Sequence, residues 1–163
     1  GFEYIKVLGL ENRERVYKFI RKDYLNSPTN LDTYKIILPK SNGSGAIGEI
    51  QSTPLIGEPI IGQPFVGFTE TFISIGAFNN ELEAQNAMKY IKSKFARTML
   101  GILKITQDNT KEKWQKVPLQ DFTAESDIDW TKPISEIDQQ LYKKYGLSQE
   151  EIEFIETKVK SMD

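Results

Sequence analysis

The stretch YKIILPKSNGSGAIGEI, Tyr34 to Ile50, decides how the rest of the chain is read. Its glycines at 43, 45 and 48 spell Gly-x-Gly-x-x-Gly, and the apolar run Ile36-Ile37-Leu38 precedes them as a strand would. A dinucleotide-binding loop of that spelling opens a helix whose N-terminus faces a pyrophosphate, with an acid about twenty residues further on. Here the chain instead meets Pro54 and Pro59 after Gly48, and a proline inside a helix costs about 3 kcal/mol. No crossover helix fits, and Pro39 separates strand from loop. The glycines therefore read as a turn between extended segments. The Gly-Lys-(Ser/Thr) signature of a phosphate-cradling loop is also absent.

Downstream, Pro54, Pro59 and Pro64 recur every five residues, with Gly57, Gly62 and Gly67 three residues behind each. This spacing reads as short strand pieces and turns, with too few copies for a solenoid. Upstream, residues 3–9 and 15–20 are rich in β-branched and aromatic side chains and flank a polar turn, which predicts a hairpin. Residues 25–33 read as a loop, and 34–39 as a third strand ended by Pro39. Residues 69–78 alternate as a core strand does.

A helix over about 81–104 follows, N-capped by Asn80, with Glu81 and Glu83 in its first turn where the macrodipole favours acids. Leu82, Ala84, Ala87, Met88, Ile91, Phe95, Met99, Ile102 and Leu103 keep helical spacing along it. Residues 107–115 read as a loop and 114–122 as a closing extended piece. The chain ends in a helical hairpin. Its first helix closes on Gly146, and its second opens with the capping box Ser148–Glu151. The expected fold class is α+β: short mixed strands in a twisted sheet, one long packed helix and a C-terminal helical hairpin. The expected division is 1–121 as the main domain and 122–163 as an acidic linker and helical tail.

The 163 residues suffice for one core with an appendage, and at 27% charged with mean hydropathy −0.45 the composition is that of a water-exposed globular domain. No run of about eighteen apolar residues is present, so no membrane partner is expected, and the N-terminus lacks the pattern of a secretory signal. Without an initiator Met, the chain reads as a fragment of a longer one. Cysteine and histidine are both absent, which excludes disulfides, Cys/His zinc sites, a histidine base and a cysteine nucleophile; a cytoplasmic location is expected. Net charge divides unevenly. Residues 1–120 carry 16 Lys and Arg against 12 Asp and Glu, whereas 121–163 carry 5 against 11. Such asymmetry points to a charged partner for the first part, or simply to a solvated acidic face on the second.

Two acidic patterns carry the residue types of a metal site. Glu156-Thr-Lys158 fits the letters of a nuclease Glu-x-Lys but falls in a helical segment without a strand partner. Asp121, Glu125, Asp127 and Asp129 lack the spacing and the sixth-position glycine of a calcium loop. Neither is expected to bind metal.

Three segments carry a family resemblance: LPKSNGSGAIGE with STPLIGEP, residues 69–109 (TETFISIGAFNNELEAQNAMKYIKSKFARTMLGILKITQDN), and residues 114–156 from WQKVPLQDF to EEIEFIE. Together they resemble the TaqI-like C-terminal specificity domain, the target-recognition domain of type II adenine-specific restriction–modification methyltransferases. The resemblance spans nearly the whole chain. It implies DNA sequence recognition, with double-stranded DNA and an upstream methyltransferase domain of the same chain as partners. It also implies S-adenosylmethionine in that upstream domain, some parents being endonucleases as well. The catalytic Asn-Pro-Pro-(Phe/Tyr) motif of such parents is absent, so the chain is expected to be non-catalytic and to bind no cofactor itself. The alternative is a protein-interaction or structural module resting on the acidic hairpin.

Target-recognition domains share no short base-contact motif, so the candidate DNA contacts rest on residue type. Lys40, Ser41, Asn42 and Ser44 combine a cation, short hydrogen-bonding side chains and close backbone access. Thr69 and Thr71 lie beside the second glycine stretch. Lys92, Lys94 and Arg97 on the helix are expected at phosphates, and Gln107, Asn109, Lys111 and Lys113 form a third group in the following loop.

Overall fold

The computed structural model describes residues 1–24, 30–40, 56–103 and 117–163. The fold is α+β. The N-terminal hairpin pairs β1 (Tyr4–Glu11) with β2 (Glu14–Arg21) in antiparallel register from Tyr4↔Arg21 to Glu11↔Glu14. That register leaves a two-residue turn, Asn12-Arg13, at φ 52° and 67°, the left-handed geometry that matches the twist of a tight hairpin. A 3-10 turn, Lys22–Tyr24, follows.

The strand read from the opening stretch is β3 (Tyr34–Pro39), central in a second sheet. The proline–glycine region supplies β4 (Ile60–Gly62) and β5 (Val66–Phe68), and β6 is Phe72–Phe78. One twisted sheet was expected; the strands form two. The first has the order β2-β1-β5, with β5 parallel to β1, and the second the order β4-β3-β6, all antiparallel. Pro39 sits at the last position of β3, where its missing N–H interrupts no central ladder. Leu8 from the first sheet meets Ile37 and Phe72 from the second in a small apolar cluster that joins them.

Lys35 in β3 is fully buried. Its ammonium donates to the carbonyls of Asn30, Leu31, Thr33 and Gln63, tying the loop before β3 to the segment after β4. Burial lowers its pKa to about 8, against the opposing pull of Asp32.

The helices are α1 (Glu81–Lys92), α2 (Lys94–Leu103), α3 (Ile134–Lys144) and α4 (Gln149–Lys158). The Asn80 cap accepts from the Glu83 N–H, the Ser148 cap from the Glu151 N–H, and Gly146 takes φ 63° after α3. The long helix expected over 81–104 is broken at Ser93, whose backbone is extended at ψ 150°. The extended piece expected at 114–122 forms no strand in its described part, 117–122.

One core joins Ile36, Leu38 and Ile73 of the second sheet to Tyr90 and Phe95 of the first two helices. It continues through Ile128 and Trp130 to Ile137, Leu141, Ile155 and Val159. It therefore crosses the boundary expected at 121–122. Trp130 packs edge-on against Tyr90 and tilted against Phe122, and its Nε1–H donates to the Asp121 carbonyl and the Ser126 hydroxyl.

Candidate nucleic-acid interface

The β3 terminus and the β5–β6 turn bring three expected contacts to one rim. The Lys40 N–H donates to the Thr71 carbonyl at 3.0 Å, carrying the strand pairing one residue past Pro39. The Thr69 N–H donates to the Leu8 carbonyl, and the Phe72 N–H closes the turn on the Thr69 carbonyl. The hydroxyls of Thr69 and Thr71 lie 2.9 Å apart, and all three side chains are exposed. Lys40 is the last described residue before the Ser-Asn-Gly-Ser-Gly segment. Both threonines also border an open depression of about 380 Å³ over β1 and β2, which contains the Lys18–Glu11 ion pair. Such a rim offers one cation and two hydroxyls to a phosphate or a base edge.

Ser41, Asn42 and Ser44, and likewise Gln107, Asn109, Lys111 and Lys113, lie outside the described residues.

The helix cations differ from expectation. Lys92 forms an ion pair with Glu58 at 2.8 Å, and Lys94 with Glu156 at 3.1 Å; both ammonium groups sit in largely covered side chains. Arg97 is wholly buried: its Nε–H donates to the carbonyls of Lys92 and Ser93, its Nη2 to that of Lys160, and its Nη1 has no partner. Burial holds its pKa down to about 10, with Asp138 and Tyr142 opposing. Lys89 donates to the carbonyls of Trp130 and Lys132. These four cations hold the helices to the rest of the fold, and Arg97, wholly buried, presents nothing to a phosphate. Spacing along a helix places a lysine on a face but does not identify the element that covers that face.

The break that separates them is built around Asp138 on α3. Its carboxylate accepts from the Lys94 and Phe95 N–H groups and so caps α2 from another helix, while the Ser93 hydroxyl accepts from the Ala96 N–H. Burial raises Asp138 to about 6 against those two hydrogen bonds. The Tyr142 hydroxyl donates to Glu156 beside it, and burial raises that phenol strongly, as it does Tyr90.

Of the acidic residues considered as metal ligands, Asp127 pairs with Lys144 and Glu156 with Lys94, whereas two bond locally. Asp121 and Asp129 accept from the N–H and hydroxyl of Thr123 and Thr131, two residues on, which holds both below the usual carboxylate range. Glu156 lies on α4 as the sequence predicts. Among the described residues no helix is long and apolar enough to cross a membrane.

Sequence reasoning passed over the hairpin's outer face. Strand period and register put Tyr4, Lys6, Leu8 and Leu10 of β1 on one face with Arg15, Tyr17, Phe19 and Arg21 of β2. The Leu8 end packs on the second sheet, where Arg15 donates to the Glu58 carbonyl and lies over Phe72. The other end is open: Tyr4 is 58% exposed and Phe19 72%. The alternation in EYIKVLGL and ERVYKFIR carried this signal once the register was known.

Compared with models of protein families, with curated proteins and with solved structures, the chain matches none.

Proposed function

We propose that the chain is a DNA target-recognition module of an adenine-specific methyltransferase, non-catalytic by itself and acting beside an upstream catalytic domain. The observation that carries this reading is the convergence of Lys40, Thr69 and Thr71 on one exposed rim at the end of β3. A cation flanked by hydroxyls suits backbone positioning, and the short polar side chains that follow in sequence suit base edges. S-adenosylmethionine belongs, on this reading, to the upstream domain, and the Asn-Pro-Pro motif is absent from the sequence, so no methyl-transfer step is assigned to these residues. The acidic tail fits the alternative of an interaction module less well, because Ile137, Leu141, Ile155 and Val159 are already spent on the chain's own core.

The test is fluorescence anisotropy of labelled duplex DNA across a salt series. The whole chain is expected to bind weakly, with log K falling linearly in log salt. Lys40→Ala is expected to reduce the magnitude of that slope by about 0.9, one phosphate's share. A salt-independent signal, or an unchanged slope in Lys40→Ala, overturns the assignment of this rim.

A further inference from the structure

We propose that the outer face of the β1–β2 hairpin is a second nucleic-acid surface, a platform on which unpaired bases stack, distinct from the Lys40 rim. The strand's period of two sorts these side chains by face. The eight residues that register places on this face include three cations (Lys6, Arg15, Arg21), three aromatics (Tyr4, Tyr17, Phe19) and no carboxylate. The strands' acids, Glu11 and Glu14, fall on the opposite face with Lys18. Pairing alternates the two kinds: Tyr4 stands opposite Arg21, and Lys6 opposite Phe19. Phe2 and Tyr24 extend the patch beyond the strand ends, 66% and 70% exposed, with the Arg21 guanidinium over both rings at 3.5 and 4.7 Å.

Exposed aromatics on this scale are uncommon on a surface that meets only water. Tyr17 is covered on one side by Lys6 at 4.6 Å, whereas Phe19 and Tyr4 present open rings. A purely apolar protein partner would leave Lys6 desolvated without counter-charge. A nucleic acid supplies both complements, since every base has a π-face for the rings and every linkage has a phosphate for the cations. Arg21 is held in a bidentate pair by Asp23, so the strand cation left for a phosphate at this end is Lys6. Two strand rises separate Tyr17 from Phe19 by about 6.8 Å, so a chain laid along β2 meets a ring at alternate positions. The occupant is single-stranded rather than duplex nucleic acid, because a paired base offers its face only to its stacked neighbours.

The experiment uses the whole chain and a fluorescein-labelled oligothymidylate, followed by anisotropy at low salt. Phe19→Ala is expected to weaken this binding about 5- to 150-fold, the range for losing one stacked base, and Tyr4→Ala similarly. Lys6→Ala is expected to reduce the magnitude of the salt slope by about 0.7, the single-strand value per phosphate. Thermal unfolding checks that each variant is folded, as expected for side chains this exposed. Lys40→Ala, which probes the duplex rim, is expected to leave oligothymidylate affinity unchanged, so the two surfaces fail independently. Unchanged oligothymidylate affinity in Phe19→Ala, or no binding by the wild-type chain, overturns the platform and leaves the patch to a protein partner.

Discussion

Arg97 shows at the residue scale how a side chain's type and its role part company. Lys92, Lys94 and Arg97 carry the charge expected at a phosphate, yet each meets a partner within the chain: Glu58, Glu156 and three backbone carbonyls, of which only the last set lies around a buried group. Burying a guanidinium is tolerable only because those carbonyls replace much of its water. Arg97→Met keeps the aliphatic stem and removes the donors, so it is expected to lower stability by about 2–4 kcal/mol in urea unfolding. The salt slope for duplex DNA is expected to stay at the wild-type value, where loss of a phosphate contact would cut its magnitude by about 0.9. The caps at Asn80 and Ser148 and the turn at Gly146 were legible because each is settled by backbone groups within four residues. The partners of the helix cations lie far along the chain, beyond any local pattern.

Elements were legible where period and punctuation agree. The hairpin, β3, β6 and the closing helices follow from alternation, from Pro39 and from the capping box. The division of α1 from α2 was not, because Ile91, Phe95 and Met99 keep helical spacing straight across Ser93. The break depends on the Asp138 carboxylate arriving from α3 to take the first two N–H groups of α2. A pH dependence follows. Asp138 titrates near 6 in the folded chain and near 3.8 once unfolded, so between those values the folded state holds a proton that the unfolded state releases. Stability from this group therefore rises as pH falls from 6 towards 4, by up to about 3 kcal/mol. Asp121 and Asp129 act in the opposite sense, and only at the acid end, because their folded values lie below the ordinary one. Urea midpoints between pH 7 and 4 are expected to show the rise in wild type relative to Asp138→Asn, in which the difference flattens.

At the scale of the whole molecule, the acidic tail is part of the structure it follows. Trp130 is 4% exposed and sits among Tyr90, Phe122 and the α3 core, so it couples the tail to α1 and, through α1, to the second sheet. Trp130→Ala is expected to cost about 3–5 kcal/mol and to lower a single unfolding transition followed by circular dichroism. Two separated transitions would instead mean that the parts before and after residue 121 fold independently. The charge asymmetry of the sequence thus marks two surfaces of one packed body. Among the described cations of the first part, Lys92, Lys94 and Arg97 brace helices, whereas Lys6 and Lys40 lie exposed.

The sequence by itself determined the α+β class and the positions of turns and caps, while the glycine loop at 43–48 lies outside the described residues. Each of these follows from constraints acting within a few residues: proline's fixed φ and missing N–H, the left-handed turn, the period of a strand or helix. Tertiary structure alone decided that the strands form two sheets, that Ser93 divides a helix, that the helix cations meet partners from distant elements, and that one face of the hairpin gathers aromatics and cations. Those outcomes turn on which distant carboxylate, carbonyl or strand comes into contact, and burial then sets how strongly each charge must be answered.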